Sequence, residues 1–182
     1  MPATTPSSLR ELAQRLQGQG ELVEAEHVLQ QAEHLLASTG DRAARAQVHE
    51  ELGVLALHRG DTALAQKRFL RVLDTAGDVG WEERVWRVRR RMGEVALAVG
   101  NHAKAVTDLT AAWDRATDYQ DLDQIVGISA PLTRALLAVG ETDRARQVVE
   151  IALPHAQRQH LDAHVEELCA LQPLTLGGDR CG

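Results

Sequence analysis

Aromatic residues are scarce in this chain: Trp81, Trp86, Trp113, Tyr119 and Phe69 together make up 3% of 182 residues. Single-stranded nucleic acid is gripped by stacking on several such rings, so that class of binding is not expected. A positive excess is missing as well. The formal net charge is -6, with 20 Lys and Arg against 26 Asp and Glu, where a nucleic-acid binder carries a basic surplus to neutralise phosphates. The only two cysteines, Cys169 and Cys181, are too few for a disulfide framework and stand at no zinc-site spacing. They read as ordinary thiols, Cys169 on a helix face and Cys181 in a loose tail. No apolar run approaches the length needed to cross a bilayer, and the start MPATTPSSLRE has neither the basic nor the apolar stretch of a secretory signal. The expected location is the cytoplasm, with no membrane contact.

The marks of chemistry are missing too. There is no glycine-rich phosphate loop, no nucleophile elbow and no third ligand at motif spacing for His160 and His164, which stand four apart. The sequence therefore predicts no enzyme, no metal and no cofactor. Prolines number five, and Pro131 and Pro154 fall inside expected helices, where each should kink or end the helix.

What the chain does have is a period. Gly20, Gly60, Gly100 and Gly140 stand 40 residues apart, and five residues after each comes Ala25, Ala65, Ala105 or Ala145. Further columns share the spacing: Leu12, Leu52, Met92 and Leu132; Leu29, Phe69, Leu109 and Val149; Ala32, Val72, Ala112 and Ala152. Each glycine follows an amphipathic helix and can take the left-handed conformation that ends one at no steric cost. Asp61 and Asn101 are good caps for the helix that follows, and Glu21 and Glu141 weaker ones. The alanine is small because helices joined by so short a turn cross closely there.

Stepping 100° per residue gathers Val85, Val88, Met92, Val95, Ala96 and Val99 into one core-facing stripe. It recurs as Ile125, Ile128, Leu132, Ala135, Leu136 and Val139, and as Arg45, Val48, Leu52, Leu55, Ala56 and Arg59, with an arginine at each end. In the first unit the same face is mostly polar, as suits an end unit, and Ser8 with Glu11 predicts a capping box. The expected organisation is a flexible start over 1–6, then a single domain over 7–172. Within it lie repeats at about 7–39, 41–77, 81–118 and 121–158 and a cap helix over 160–172 that Pro173 ends, followed by a flexible tail over 173–182.

These residues resemble the tetratricopeptide repeat (TPR) in a long form of about 40 residues. The second unit matches best, with Leu52-Gly53, Gly60-Asp61, Ala65 and Phe69; the third has Met92-Gly93, Gly100-Asn101, Ala105, Leu109 and Ala112. Thr133 and Ala13 replace the first-helix glycine in the fourth and first units. The resemblance implies an all-α fold, a right-handed superhelical solenoid of four antiparallel helix pairs plus a C-terminal capping helix. It further implies a module that binds a protein or peptide in a concave groove lined by the first helix of each unit. A regulatory or sensor domain that binds a small ligand or signalling peptide and acts on a separate effector is the alternative.

On that wall the candidate partner-binding residues are Gln47, Glu50, Glu51 and Val54 in the second unit, Arg87, Arg90, Arg91 and Glu94 in the third, and Arg134 in the fourth. The segment 81–91, WEERVWRVRRR, is the one dense basic cluster, so an acidic partner or a terminal carboxylate fits it. In the family's carboxylate clamp Arg10, Gln14, Arg87 and Arg91 would fall at gripping positions, whereas Glu51 stands where an uncharged residue belongs. The same register allows a second reading, in which Glu50 and Glu51, 40 residues before Arg90 and Arg91, simply pair with them. Trp81 falls on the core stripe, while Trp86 and Trp113 stand off it and suit an interface. Self-association through the end faces is a further expectation.

Overall fold

The computed structural model describes residues 5–79 and 81–175. Residues 1–4 and 176–182, which hold most of the expected loose ends and Cys181, lie outside them. Nine helices stand among the described residues, and no strand: α1 (Pro6–Gly18), α2 (Leu22–Leu36), α3 (Arg42–His58), α4 (Thr62–Val79), α5 (Glu82–Ala98), α6 (His102–Asp118), α7 (Leu122–Ala138), α8 (Thr142–Arg158) and α9 (Asp162–Thr175). None is long and apolar enough to cross a membrane. Two compact units are present, Met1–Val88 and Arg89–Gly182.

The repeat columns become the cores of these units. Ala25, Ala65, Ala105 and Ala145 are fully buried, and so are Leu29, Phe69 and Leu109. In the first unit α1 packs on α2, α2 on α3 and α3 on α4, closing a core that includes Leu9, Leu29, Leu36, Leu52 and Leu55. In the second, α7 packs on α6 and α8, and α9 covers both α7 and α8 with Leu168 and Leu171. The expected stripes are core except at their ends. Val99 and Val139 are 58% and 39% exposed, because they sit at the last turn, beside the cap, where the helix face has already left its partner.

First-helix glycine is explained by what faces it. A Cβ on Gly53 would stand 2.6 Å from Phe69 Cε1, and one on Gly93 2.5 Å from Leu109 Cγ. The glycine and the large residue 16 positions later are therefore one packing unit. By register Thr133 faces the smaller Val149, so volume gained on one helix is given up on the other, whereas Ala13 faces Leu29 with no such exchange.

The turns repeat at half the expected interval. Gly20, Gly60, Gly100 and Gly140 all have positive φ, between 75° and 82°, as expected; Gly40, Gln120 and His160 have it too, at 68°, 54° and 55°. The bond that defines such a helix end runs from the following N–H to the carbonyl five residues back. It is present from Asp61 to Ala56, from Asn101 to Ala96, from Asp121 to Ala116, from Glu141 to Leu136 and from Leu161 to Ala156. A side chain in this conformation costs on the order of 1 kcal/mol. Replacing Gln120 or His160 with glycine is therefore expected to raise the urea midpoint of the second unit, each by about that amount of stability. No gain in either variant would mean that the left-handed turn is not strained.

Caps and ends differ in part from expectation. Asp61 and Asn101 accept from the N–H groups of Leu64 and Lys104 at 3.0 and 3.2 Å, while Glu21 and Glu141 make no side-chain cap bond. The box at the start of α1 uses Thr5 and Ser8 instead of Ser8 and Glu11, with Pro6 in the first helical position, where its missing N–H is no loss. Pro131 and Pro154 lie inside α7 and α8 without ending them. α9 likewise continues past Pro173 to Thr175. Cys169 is disulfide-bonded, so its reading as a thiol is corrected.

Candidate functional site

Helix α1 meets α3 at a polar cluster built on Arg10. Arg10 donates to Glu51 Oε1 from Nε at 3.1 Å and from Nη2 at 2.6 Å, and to Gln47 Oε1 from Nη1 at 2.5 Å. Gln14 adds a fourth bond, Nε2 to Glu51 Oε1 at 3.3 Å. From the start of α5, Arg84 donates to Glu50 Oε2 at 2.8 Å, and its guanidinium lies 4.9 Å from the Trp81 ring centroid. Arg87 spans Glu50 and Glu83 at 3.7 and 3.6 Å, ion-pair rather than hydrogen-bond distances.

These side chains line a groove of about 470 Å³ in the first unit, formed by Arg10, Gln14, Gln17, Gln47, Glu50, Glu51, Val54, Arg84 and Arg87. Three of its polar atoms are buried without a hydrogen-bond partner: the donors Gln17 Nε2 and Arg87 Nε, and the acceptor Glu51 Oε2. Such atoms are uncommon in folded proteins, because each forfeits its bonds to water. Five of the residues that the sequence pointed to, Gln47, Glu50, Glu51, Val54 and Arg87, are thus brought together. Gln17 had no signal in the sequence, since the 40-residue register aligns it with Leu57 and Leu97.

Other candidates of that set occupy the second unit. Arg90 and Arg91 both bind Glu94, at 3.0 and 2.9 Å. Glu50 and Glu51 bind Arg84 and Arg10. The pairing that the 40-residue spacing suggested is therefore not the one made: these charges are satisfied along a helix or by partners out of register. Arg90 also reaches Gln124 Oε1 at 3.3 Å and fills the space above Gly127, where a Cβ would meet Nη1 at 2.6 Å. Burial, joined by Arg91, pulls the Arg90 pKa below its ordinary value against the opposing field of Glu94. Arg134 is exposed on α7 and pairs with Glu167 of α9.

The tryptophans are placed differently from the expectation. Trp113 is only 8% exposed and belongs to the core of the second unit, while Trp81, expected in the core stripe, is half-buried beneath Arg84. His160 holds a left-handed turn position ahead of α9, so it does not share a helix face with His164. Among the described residues no group of three or more His, Cys, Asp and Glu side chains could hold a metal ion.

A second polar cluster is buried behind α3. His49, 4% exposed, meets Arg68 Nη1 at 3.0 Å through Nδ1, and the same Nη1 donates to Glu33 Oε1 at 2.6 Å. An arginine can only donate, so Nδ1 is the acceptor and Nε2 carries the proton of a neutral ring. Burial, aided by Arg68, Arg71 and Arg45 and opposed by Glu33, pushes the His49 pKa down to about 4. Burial pushes Glu33 upward, but its hydrogen bond and ion pair with Arg68 outweigh that and hold it below its ordinary value.

Neither a protein-family profile nor a curated protein matches the sequence. Solved structures do. Aspartyl phosphate phosphatase F from Bacillus subtilis superposes with a TM-score of 0.82 at 13% identity, covering 95% of this chain and 45% of that one. A Podosopora anserina kinesin light chain of TPR-like repeats gives 0.70 at 19%, covering 97% and 100%. A Rap protein complexed with competence and sporulation factor gives 0.78 at 16%, covering 91% and 47%. The chain spans less than half the length of the first and third, and at these identities the likeness establishes the fold alone.

Proposed function

From the premise that this chain has the TPR-like repeat fold, we propose that it is a protein-interaction module whose first unit holds a peptide or protein segment in the groove between α1, α3 and α5. The single observation that carries the reading is the groove itself, about 470 Å³ walled by polar and charged side chains from three helices. Nothing in the reading calls for catalysis, a cofactor or a metal. The phosphatase named among the similar structures is more than twice this chain's length.

Arg90, Arg91, Glu94 and Arg134 are left outside the proposed surface, because none of them lines the groove: Arg90 and Arg91 pair with Glu94, and Arg134 with Glu167. Binding is carried by Gln47, Glu50, Glu51, Val54 and Arg87, joined by Arg10, Gln14, Gln17 and Arg84.

A photo-crosslinking residue placed at Gln47 should capture partners that one placed at exposed Lys67 does not, and the Gln47 adducts should fade when Gln17 is changed to alanine. Identical adducts from both positions would remove the groove from consideration. The complexed Rap protein favours the second reading, a sensor domain for a small ligand or signalling peptide. A thermal-shift screen separates the two, since only a ligand sensor gains melting temperature from a small compound.

A further inference from the structure

Arg84 and Arg87 have Glu50 and Glu83 for partners, and the positive charge that carboxylates leave unbalanced gathers on the other side of α3. Stepping about 100° per residue sets Arg45 and His49 opposite the groove residues Gln47, Glu50, Glu51 and Val54. One oxygen is the meeting point there. Glu33 Oε1, on α2, accepts from Arg68 Nη1 at 2.6 Å and lies 3.8 Å from Arg71 Nη1 and 3.5 Å from His49 Nδ1. Arg45 acts on the same ring, since its field joins those of Arg68 and Arg71 in opposing protonation of His49. Among the described residues no other carboxylate pairs with Arg45, Arg68 or Arg71.

Three guanidiniums and one carboxylate around a neutral imidazole leave two positive charges. The excess faces solvent, because Arg45 is exposed and the Arg71 side chain is 49% exposed. Lys67, four residues before Arg71 on α4, adds a third cation to that helix, at a spacing where equal charges destabilise a helix. In the other repeats the columns of Glu33, His49 and Arg68 are mostly apolar, with Leu9, Val28, Leu73, Val148 and Leu153, and hold a second ion pair, Arg89 with Asp108, in the third. Guanidiniums that converge from two helices present the forked donors that an oxyanion takes up.

We propose that Arg45, Arg68 and Arg71 form a site for a tetrahedral dianion of the phosphate class, free or carried as a phosphomonoester. Arg45 and Arg71 meet the anion from the solvent side. Arg68, anchored by Glu33 and His49, supplies its remaining N–H groups from beneath. A single carboxylate would leave one positive charge over, whereas a dianion balances both. The dianion also offsets the cationic field at His49, so that filling the site and protonating the ring favour each other.

The test titrates the full chain, labelled with 13C in arginine, with inorganic phosphate and separately with N-acetyl-O-phosphoserine amide. It runs at about pH 8, above the second ionisation of the phosphoryl group, with sodium chloride balancing the ionic strength. The Cζ signals of Arg45, Arg68 and Arg71 should shift together and saturate, while those of Arg10 and Arg134 stay in place. Arg45→Gln and Arg71→Gln should each weaken binding about tenfold, the worth of one charge-assisted hydrogen bond. Glu33→Gln keeps an acceptor for Arg68 and removes a competing negative charge, so it should tighten binding about threefold or more. Sulfate, a dianion throughout the acid range, should raise the titration midpoint of His49 above the value of about 4 that chloride leaves unchanged. A response to phosphate alone sustains the site with the free ion as its ligand, and a response to both ligands sustains it for monoesters. If chloride at equal ionic strength gives the same shifts, the site is overturned. It is equally overturned if Arg45→Gln and Arg71→Gln, with unaltered urea midpoints, both bind as the natural chain does, and the cluster is then an ion-pair network that only joins α2, α3 and α4.

Discussion

Truncating Phe69 to alanine is expected to destabilise the first unit by about 3–5 kcal/mol, the cost of emptying a fully buried aromatic site. The more telling result concerns Gly53. In the natural background Gly53→Ala gains about 1 kcal/mol of helix propensity, but its methyl meets the Phe69 ring at 2.6 Å. Overpacking of that kind costs about 1–3 kcal/mol, so the single variant is expected to be destabilised. In the Phe69→Ala background the ring is gone, the methyl enters the cavity, and the same substitution should stabilise. A double-mutant cycle in urea reads the sign change directly. Gly53→Ala effects of one sign in both backgrounds would show that the ring and the glycine are not a packing pair.

The second large effect is acid lability of the first unit. His49 has a folded pKa of about 4, below the ordinary value of about 6.5 that it regains on unfolding. Its burial as a neutral ring therefore favours the folded state fully above pH 6.5, and this contribution is lost as pH falls toward 4, where the unfolded chain takes the proton first. Between pH 7 and pH 5 the loss amounts to about 2 kcal/mol, at 1.36 kcal/mol per unit below 6.5. Glu33, held below its ordinary value by Arg68, acts in the same direction at lower pH. His49→Asn keeps an acceptor for Arg68 and cannot titrate. The stability difference between the two proteins should narrow in favour of the variant as pH drops, whereas parallel profiles would place a charged, solvated histidine at this site.

How much of this could be read from the sequence follows from what a period can encode. The glycine turns and the alanine, leucine and phenylalanine columns are backbone and packing requirements, and each repeats because each unit has the same problem to solve. Val99 and Val139 were misplaced because periodicity assigns a face and says nothing about where a helix leaves its neighbour. The turns at Gln120 and His160 were hidden because the residues there are not glycine, although the backbone is as left-handed as at Gly100. Charge partners were the least legible part. Long side chains choose among carboxylates within several ångströms, so Arg90 and Arg91 take Glu94 at spacings of four and three, and Glu51 takes Arg10 at a separation of 41. Gln17 could not be found from the sequence at all. Its relevance comes from an atom left without a partner, which only packing reveals.

The guanidinium lying over Gly127 couples two positions that no sequence column joins. A methyl at position 127 would press on the far end of the Arg90 side chain, which must then shift within a partly buried seat where Gln124 and Glu94 hold it. The cost falls on the hydrogen bonds of a charged group rather than on the backbone. A shorter residue at position 90 removes that cost, so the two positions are expected to vary together.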